Sequence, residues 1–196
     1  HLLLNPVVKE KKEFYSGHEA VINEDKCSEC GVCINYCRFD AIKKNKLAGG
    51  ISVFAIDPYS CEGCGACVRF CPNGAIDFPE RYCGEWMVSD TNYGTMVHAK
   101  LNAAAENSGK LVSTVRKEAK KMAEEQKSEM IIVDGPPGIG CPVISSLTGT
   151  SQVLIVTEPT LSGEHDLLRV ISLVNHFKIP ASVCVNKWDL NEVMTK

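Results

Sequence analysis

Cys27-Ser28-Glu29-Cys30-Gly31-Val32-Cys33-Ile34-Asn35-Tyr36-Cys37 is followed, further along, by Cys61-Glu62-Gly63-Cys64-Gly65-Ala66-Cys67-Val68-Arg69-Phe70-Cys71-Pro72. The same C-x-x-C-x-x-C-x-x-x-C spacing thus occurs twice and takes up eight of the eleven cysteines. Three thiolates on one tight loop can reach three corners of a single iron–sulfur cubane, while the fourth is carried off on the next helical turn. Gly31, Gly65 and Ala66 are small enough to let backbone N–H groups approach the sulfurs and donate hydrogen bonds to them. Ala41-Ile42 and Ala75-Ile76 follow the two runs at the same offset and would keep water from the metal. The segment is an internal duplication. Structural zinc is the competing reading; it needs four thiolates in a tetrahedron, commonly from paired C-x-x-C knuckles, and a third cysteine two residues further on fits it poorly.

From about Gly17 to Pro79 the chain closely resembles the bacterial two-cluster ferredoxins, in which the fourth cysteine of each run serves the other cluster. The resemblance implies two [4Fe–4S] clusters. Cys27, Cys30, Cys33 and Cys71 would hold the first, and Cys61, Cys64, Cys67 and Cys37 the second. Arg38 stands where the family has proline after the first run, which bears on the local turn and on shielding of the cluster rather than on the ligands.

Composition sets wider bounds. The 196 residues are 44% hydrophobic and 23% charged, with a formal charge of −3, as in ordinary globular chains. No basic excess invites nucleic acid or an anionic membrane. The longest apolar stretches, such as Met130 to Val133 and Val153 to Val156, are far shorter than the roughly 20 residues a bilayer requires. His1-Leu2-Leu3-Leu4-Asn5-Pro6 has none of the parts of a secretory signal. Eleven cysteines without such a signal point to metal ligation in reducing cytoplasm rather than to disulfides.

After Pro79 the texture changes. Glu85 to Ser89 and Thr95 to Ala99 suggest short strands around a turn, and Gly109 to Gln126 a helix with Leu111, Val115, Ala119 and Met122 on one face. Met130 to Asp134, Gln152 to Thr157 and Ala181 to Asn186 suggest buried strands, separated by helices near Pro142 to Leu147 and Gly163 to Phe177. Such alternation predicts a parallel sheet covered by helices, with ligands bound beyond the strands' carboxyl ends. Asp134 ends one strand before Gly135-Pro136-Pro137-Gly138, where the carboxylate could orient a magnesium ion or its water and the Gly138 N–H could meet a phosphate. A plain strand-to-helix turn is the alternative. Asn186 and Asp189, in Asn186-Lys187-Trp188-Asp189, could recognise a nucleotide base or simply be a polar strand end. Thr160 or Ser162 is expected to cap the following helix.

In this order the segments from about Tyr82 onward resemble the MinD/Mrp class of P-loop ATPases, relatives of the nitrogenase iron protein. The combination resembles those MinD-like ATPases that carry an inserted ferredoxin domain. The implied fold is α/β, a partial P-loop NTPase-like parallel sheet flanked by helices, with an inserted α+β ferredoxin-like domain. The expected boundaries are 1–16 for the tail of an N-terminal ATPase segment and linker, 17–79 for the insert, and 80–196 for an incomplete ATPase domain. No G-x-x-x-x-G-K-[ST] loop occurs in these residues, so the chain is expected to be a fragment that does not hold ATP tightly by itself.

For the intact protein the resemblance implies ATP and magnesium, a homodimer, and electron transfer gated by nucleotide, with a redox partner or an iron–sulfur client protein. A cluster carrier or assembly factor, and a simple electron carrier with a scaffold α/β domain, are the alternatives. Cys184 is expected in core packing and Cys141 in a structural role, with Cys83 left open. His18, His98, His165 and His176 show no ligand spacing and are expected to be packed or solvated.

Overall fold

The structure is a computed structural model and describes residues 2–46, 52–103, 105 and 109–195. His1, the first residue of the expected N-terminal segment, lies outside the described residues. The strands are β1 (Val7–His18), β2 (Val21–Ile22), β3 (Ile42–Lys46), β4 (Ser52–Ile56), β5 (Ile76–Asp77), β6 (Glu80–Thr91), β7 (Gly94–Leu101), β8 (Val153–Thr157) and β9 (Ala181–Val185). The helices are α1 (Val32–Tyr36), α2 (Ala66–Phe70), α3 (Gly109–Gln126), α4 (Cys141–Leu147), α5 (Leu161–His176) and α6 (Glu192–Thr195). β1, β6 and β7 make a three-stranded sheet in the order β1-β6-β7, and the other strands pair in twos. The chain divides into two compact units: His1–Lys11, Trp86–Ala99 and Asn107–Lys196 in one, Lys12–Glu85 and Lys100–Glu106 in the other.

The cysteine-bearing unit has an internal twofold pattern with a period of 34 residues, the separation of Cys27 from Cys61. β3 and β4 pair antiparallel with Ile42 opposite Ile56 and Lys43 opposite Ala55. β2 and β5 pair antiparallel with Ile22 opposite Ile76 and Val21 opposite Asp77, the same register moved by one period. Asn23 N–H donates to Ala75 C=O at 2.8 Å, and Asp57 N–H donates to Ala41 C=O at 2.8 Å, again one period apart. Each half thus completes its pairing with the other half. The core between them is Ala20, Ile42, Phe54, Cys67 and Ile76, with Ile22, Ile56, Ile34 and Val68 packed against it. A shared apolar interior explains why neither five-residue helix needs to be stable alone.

In the other unit, β8, α5 and β9 form a strand–helix–strand crossover with β8 and β9 parallel. Val143, Leu147, Ile155 and Val174 are its buried cluster. Thr160 caps α5, its hydroxyl accepting from Gly163 N–H at 3.0 Å. Arg116 of α3 donates through Nη1 to the C=O groups of Ser145 and Thr148, both at 2.6 Å, closing the end of α4.

Two sequence expectations need correction here. Met130 to Asp134 is neither strand nor helix, and so adds no strand to the parallel pair of β8 and β9. The physical reason is that an apolar run becomes a strand only when its backbone finds a ladder, and Met130 and Ile132 stay 73% and 83% exposed. Cys184 is exposed on β9 rather than packed in a core, as are its neighbours Val183 and Leu154 of β8.

Candidate iron–sulfur centres

The loop before each short helix turns on left-handed backbone. Glu29 and Gly63 occupy equivalent positions at φ 55° and 61°, and Gly31 and Gly65 at 76° and 72°. These turns fold the first three cysteines of each run back on themselves. Gly31 and Gly65 then start α1 and α2, and the chain leaves each helix in extended conformation at Cys37 and Cys71. Upstream of the second run, Asp57 fixes the approach: its carboxylate accepts from Tyr59 N–H at 3.0 Å and from the Ser60 hydroxyl at 2.8 Å, and its C=O accepts from Cys61 N–H. The bonds from the Ser60 hydroxyl, first, and the Tyr59 N–H hold the Asp57 carboxyl below its ordinary pKa.

Two recesses result, each with about 340 Å³ of space including its open mouth. One is lined by Cys27, Cys30, Cys33 and Cys71, with Phe54 and Ile76 among its apolar walls. The other is lined by Cys37, Cys61, Cys64 and Cys67, with Phe39 and Phe78. Each recess therefore gathers three thiols of one run and the last thiol of the other. Cys30 and Cys64 are the exposed members, and Cys67 is buried. Burial raises the thiol pKa of both Cys33 and Cys67. Ala75 N–H donates to Cys71 Sγ at 3.3 Å. Among the described residues no three His, Cys, Asp or Glu side chains gather as they would around a single metal ion.

The donor set and walls suit an iron–sulfur cluster: all-sulfur ligands, left-handed turns beside them, a backbone donor at a sulfur and apolar residues behind. Sequence reasoning missed Asn23, Asp57, Tyr36 and Phe70. Tyr36 and Phe70, each just before a fourth cysteine, stack with ring centroids 4.0 Å apart and planes at 10°. The repeat period was the signal that would have found them, since it aligns Asn23 with Asp57 and Tyr36 with Phe70.

The nucleotide candidates of the other unit are not brought together by any contact among the described residues. Asp134 is exposed, and Gly138 has φ 91° with open space around it. Asn186 is spent locally: its side-chain carbonyl accepts from Lys187 N–H at 3.0 Å, and its own N–H donates to Thr157 C=O at 2.8 Å. Asp189 is exposed in a 3₁₀ turn, and Lys187 between them pairs with Glu158. Of the remaining cysteines, Cys83 is buried with Sγ donating to Ser16 C=O at 3.3 Å, a packing role, and Cys141 is exposed at the start of α4. No helix of the described residues is long and apolar enough to cross a membrane.

Residues 26–75 match the family model of the 4Fe-4S dicluster domain. The chain is 35% identical over 172 residues to the uncharacterized protein MJ0578 of Methanocaldococcus jannaschii, covering 88% of this chain and 57% of that protein. It is 30% identical over 121 residues to MJ0579 of the same organism, covering 62% of this chain and 44% of that protein. The chain thus spans about half the length of the curated relatives it matches. It contains a ferredoxin-like iron–sulfur domain.

Proposed function

We propose that the chain binds two [4Fe–4S] clusters, one held by Cys27, Cys30, Cys33 and Cys71 and the other by Cys61, Cys64, Cys67 and Cys37, and that it serves electron transfer. The observation that carries this is the crossing itself: each recess is ringed by three thiols of one run and the fourth of the other. When bound, such a cluster supplies one-electron transfer at a potential set by its charge, its exposure and the hydrogen bonds to its sulfurs. The chain's own part is to present eight thiolates, donate from Ala75 N–H to Cys71 and keep water back with Phe54, Phe78 and the Ala-Ile pairs. Crossed ligation makes a closed cage, which favours a resident redox centre over a carrier that hands clusters on.

Anaerobic reconstitution tests the reading. About eight iron and eight sulfide per chain are expected, with two interacting cubane signals on reduction and no transfer to an apo acceptor protein. Zinc in place of iron, or one cluster only, would overturn it.

For the longer protein to which such a chain could belong, we propose coupling of these centres to a MinD-like ATPase acting as a dimer with a redox partner or iron–sulfur client. The parallel β8-α5-β9 crossover supports this, as Asp134 and Gly138 would then face magnesium and phosphate and Asn186 and Asp189 the base. Equal reduction rates of the longer protein with and without Mg-ATP would remove the coupling and leave the clusters.

A further inference from the structure

α1 and α2 are five residues each, too short to hold their own ends in place. Each finishes on an aromatic residue, Tyr36 or Phe70, and each aromatic is followed at once by the cysteine that crosses to the other repeat's recess. At Cys37 and Cys71 the backbone has already left the helix, with φ −80° and −72° and ψ 114° at both, so the direction of each thiol is set by where the helix end sits. The two rings lie nearly parallel with centroids 4.0 Å apart. Both are 44% exposed, so burial from water is only part of what they gain, and each covers a face of the other. The Arg69 guanidinium stands 6.0 Å from the Phe70 centroid on the same helix end.

We propose that the Tyr36–Phe70 stack is a clasp that positions the crossing cysteines Cys37 and Cys71, joining the ends of α1 and α2 so that each thiol meets the recess of the opposite repeat. The proposal rests on the two-cluster reading. Tyr36 and Phe70 are positioning residues; neither lines a recess. Because Cys37 and Cys71 belong to different quartets, removal of either ring loosens one corner in each cage together. The iron released is the one held by the crossing cysteine, and the other three ligands stay in place.

The test uses the reconstituted 196-residue chain and the variants Tyr36→Leu, Phe70→Leu, their double variant, Tyr36→Phe and Phe70→Tyr. With ferricyanide as oxidant, [4Fe–4S]²⁺ yields [3Fe–4S]⁺, one Fe²⁺ and one electron, which ferricyanide takes up; the three-iron product is read by electron paramagnetic resonance and the iron by a chelator. Either leucine variant is expected to release iron about tenfold faster, from both clusters, near the upper end of what a stacked pair contributes. The double variant is expected to be no faster than the singles within about twofold, since the interaction is already lost in each. Tyr36→Phe and Phe70→Tyr keep two rings and are expected to behave as the parent.

Parental rates in the leucine variants, additive effects in the double variant, or rapid loss in the ring-retaining variants would each overturn the clasp. So would bleaching of whole clusters without a three-iron signal, or leucine variants that take up no iron, because those outcomes mark general scaffolding. A parent that binds eight iron atoms while its leucine variants are unaffected removes the clasp alone. A parent that takes up no iron and sulfide removes the two-cluster reading and the clasp with it.

Discussion

Replacing Gly63 by alanine separates two reasons for a glycine that are usually confounded. Gly63 has φ 61°, a conformation that costs an L-residue about 1–2 kcal/mol. That alone does not demand glycine, since Glu29 occupies the equivalent position one period earlier at φ 55°. What differs is the neighbour: a Cβ at position 63 would overlap the carbonyl oxygen of His18, with the His18 carbonyl carbon at 3.3 Å. His18 cannot readily retreat. Its ring stacks on Phe78 with centroids 4.8 Å apart, and the next residue, Glu19, donates its N–H to Pro79 C=O at 3.1 Å. Overpacking against fixed backbone adds about 1–3 kcal/mol, so Gly63→Ala is expected to cost about 2–5 kcal/mol in all. Gly74→Ala is the control, with φ 58° and nothing within 4 Å of the added carbon, and is expected to cost about 1–2 kcal/mol. Guanidinium-driven bleaching of the reconstituted chain is the assay, read as a rate because cluster loss is irreversible. Gly63→Ala should bleach about five- to a hundredfold faster than Gly74→Ala, since the two differ by the overpacking cost of about 1–3 kcal/mol and 1.4 kcal/mol is a factor of ten. Equal rates for the two variants would refute the argument from close approach.

Three further outcomes are expected. Cys71→Ser should damage the cluster of Cys27, Cys30 and Cys33 and spare that of Cys61, Cys64 and Cys67, seen as one three-iron signal beside one intact cubane; damage to the second cluster instead would show that the fourth ligands do not cross. Burial holds the His98 imidazole below its ordinary pKa of 6.5, with Nε2 at 2.8 Å from the Ser89 hydroxyl, so its neutral form is the one the fold favours. Stability from this group is therefore fully present above pH 6.5 and falls as pH drops toward the depressed value; Trp86 fluorescence during denaturation should show that slope in the parent and a flatter one in His98→Gln. Arg116→Ala should lower stability by about 1.5–3 kcal/mol by removing a charged donor from the C=O groups of Ser145 and Thr148, measurable as a shift of the denaturation midpoint.

The parts legible in the sequence were those with a local cause. The cysteine spacing is a property of one loop, and α3 carries its helical period on its own residues, so its bounds at Gly109 and Gln126 could be read directly. β8 and β9 alternate with a helix of ordinary length and were visible for the same reason. What stayed hidden depends on partners far away in the chain. β1, Val7–His18, is rich in lysine and glutamate and shows no buried alternation, because it is ten-twelfths exposed and held as a strand by β6. Met130 to Asp134 has the composition of a strand without a ladder beside it. Cys184 looked apolar by its neighbours and proved exposed, since burial requires a covering layer as well as a pattern. The Asp57 turn and the Tyr36–Phe70 stack follow from comparing one repeat with the other, a comparison that single-run spacing does not make.

The shared register of β2–β5 and β3–β4 makes the two halves dependent on one another. Either half, cut free as a peptide of some 34 residues, would own three corners of a cage and one stray thiol, and lack the strand that closes it. Two identical copies of such a half could in principle supply what each lacks, whereas within this chain the halves are already unlike, with Glu29 against Gly63 and Arg38 against Pro72.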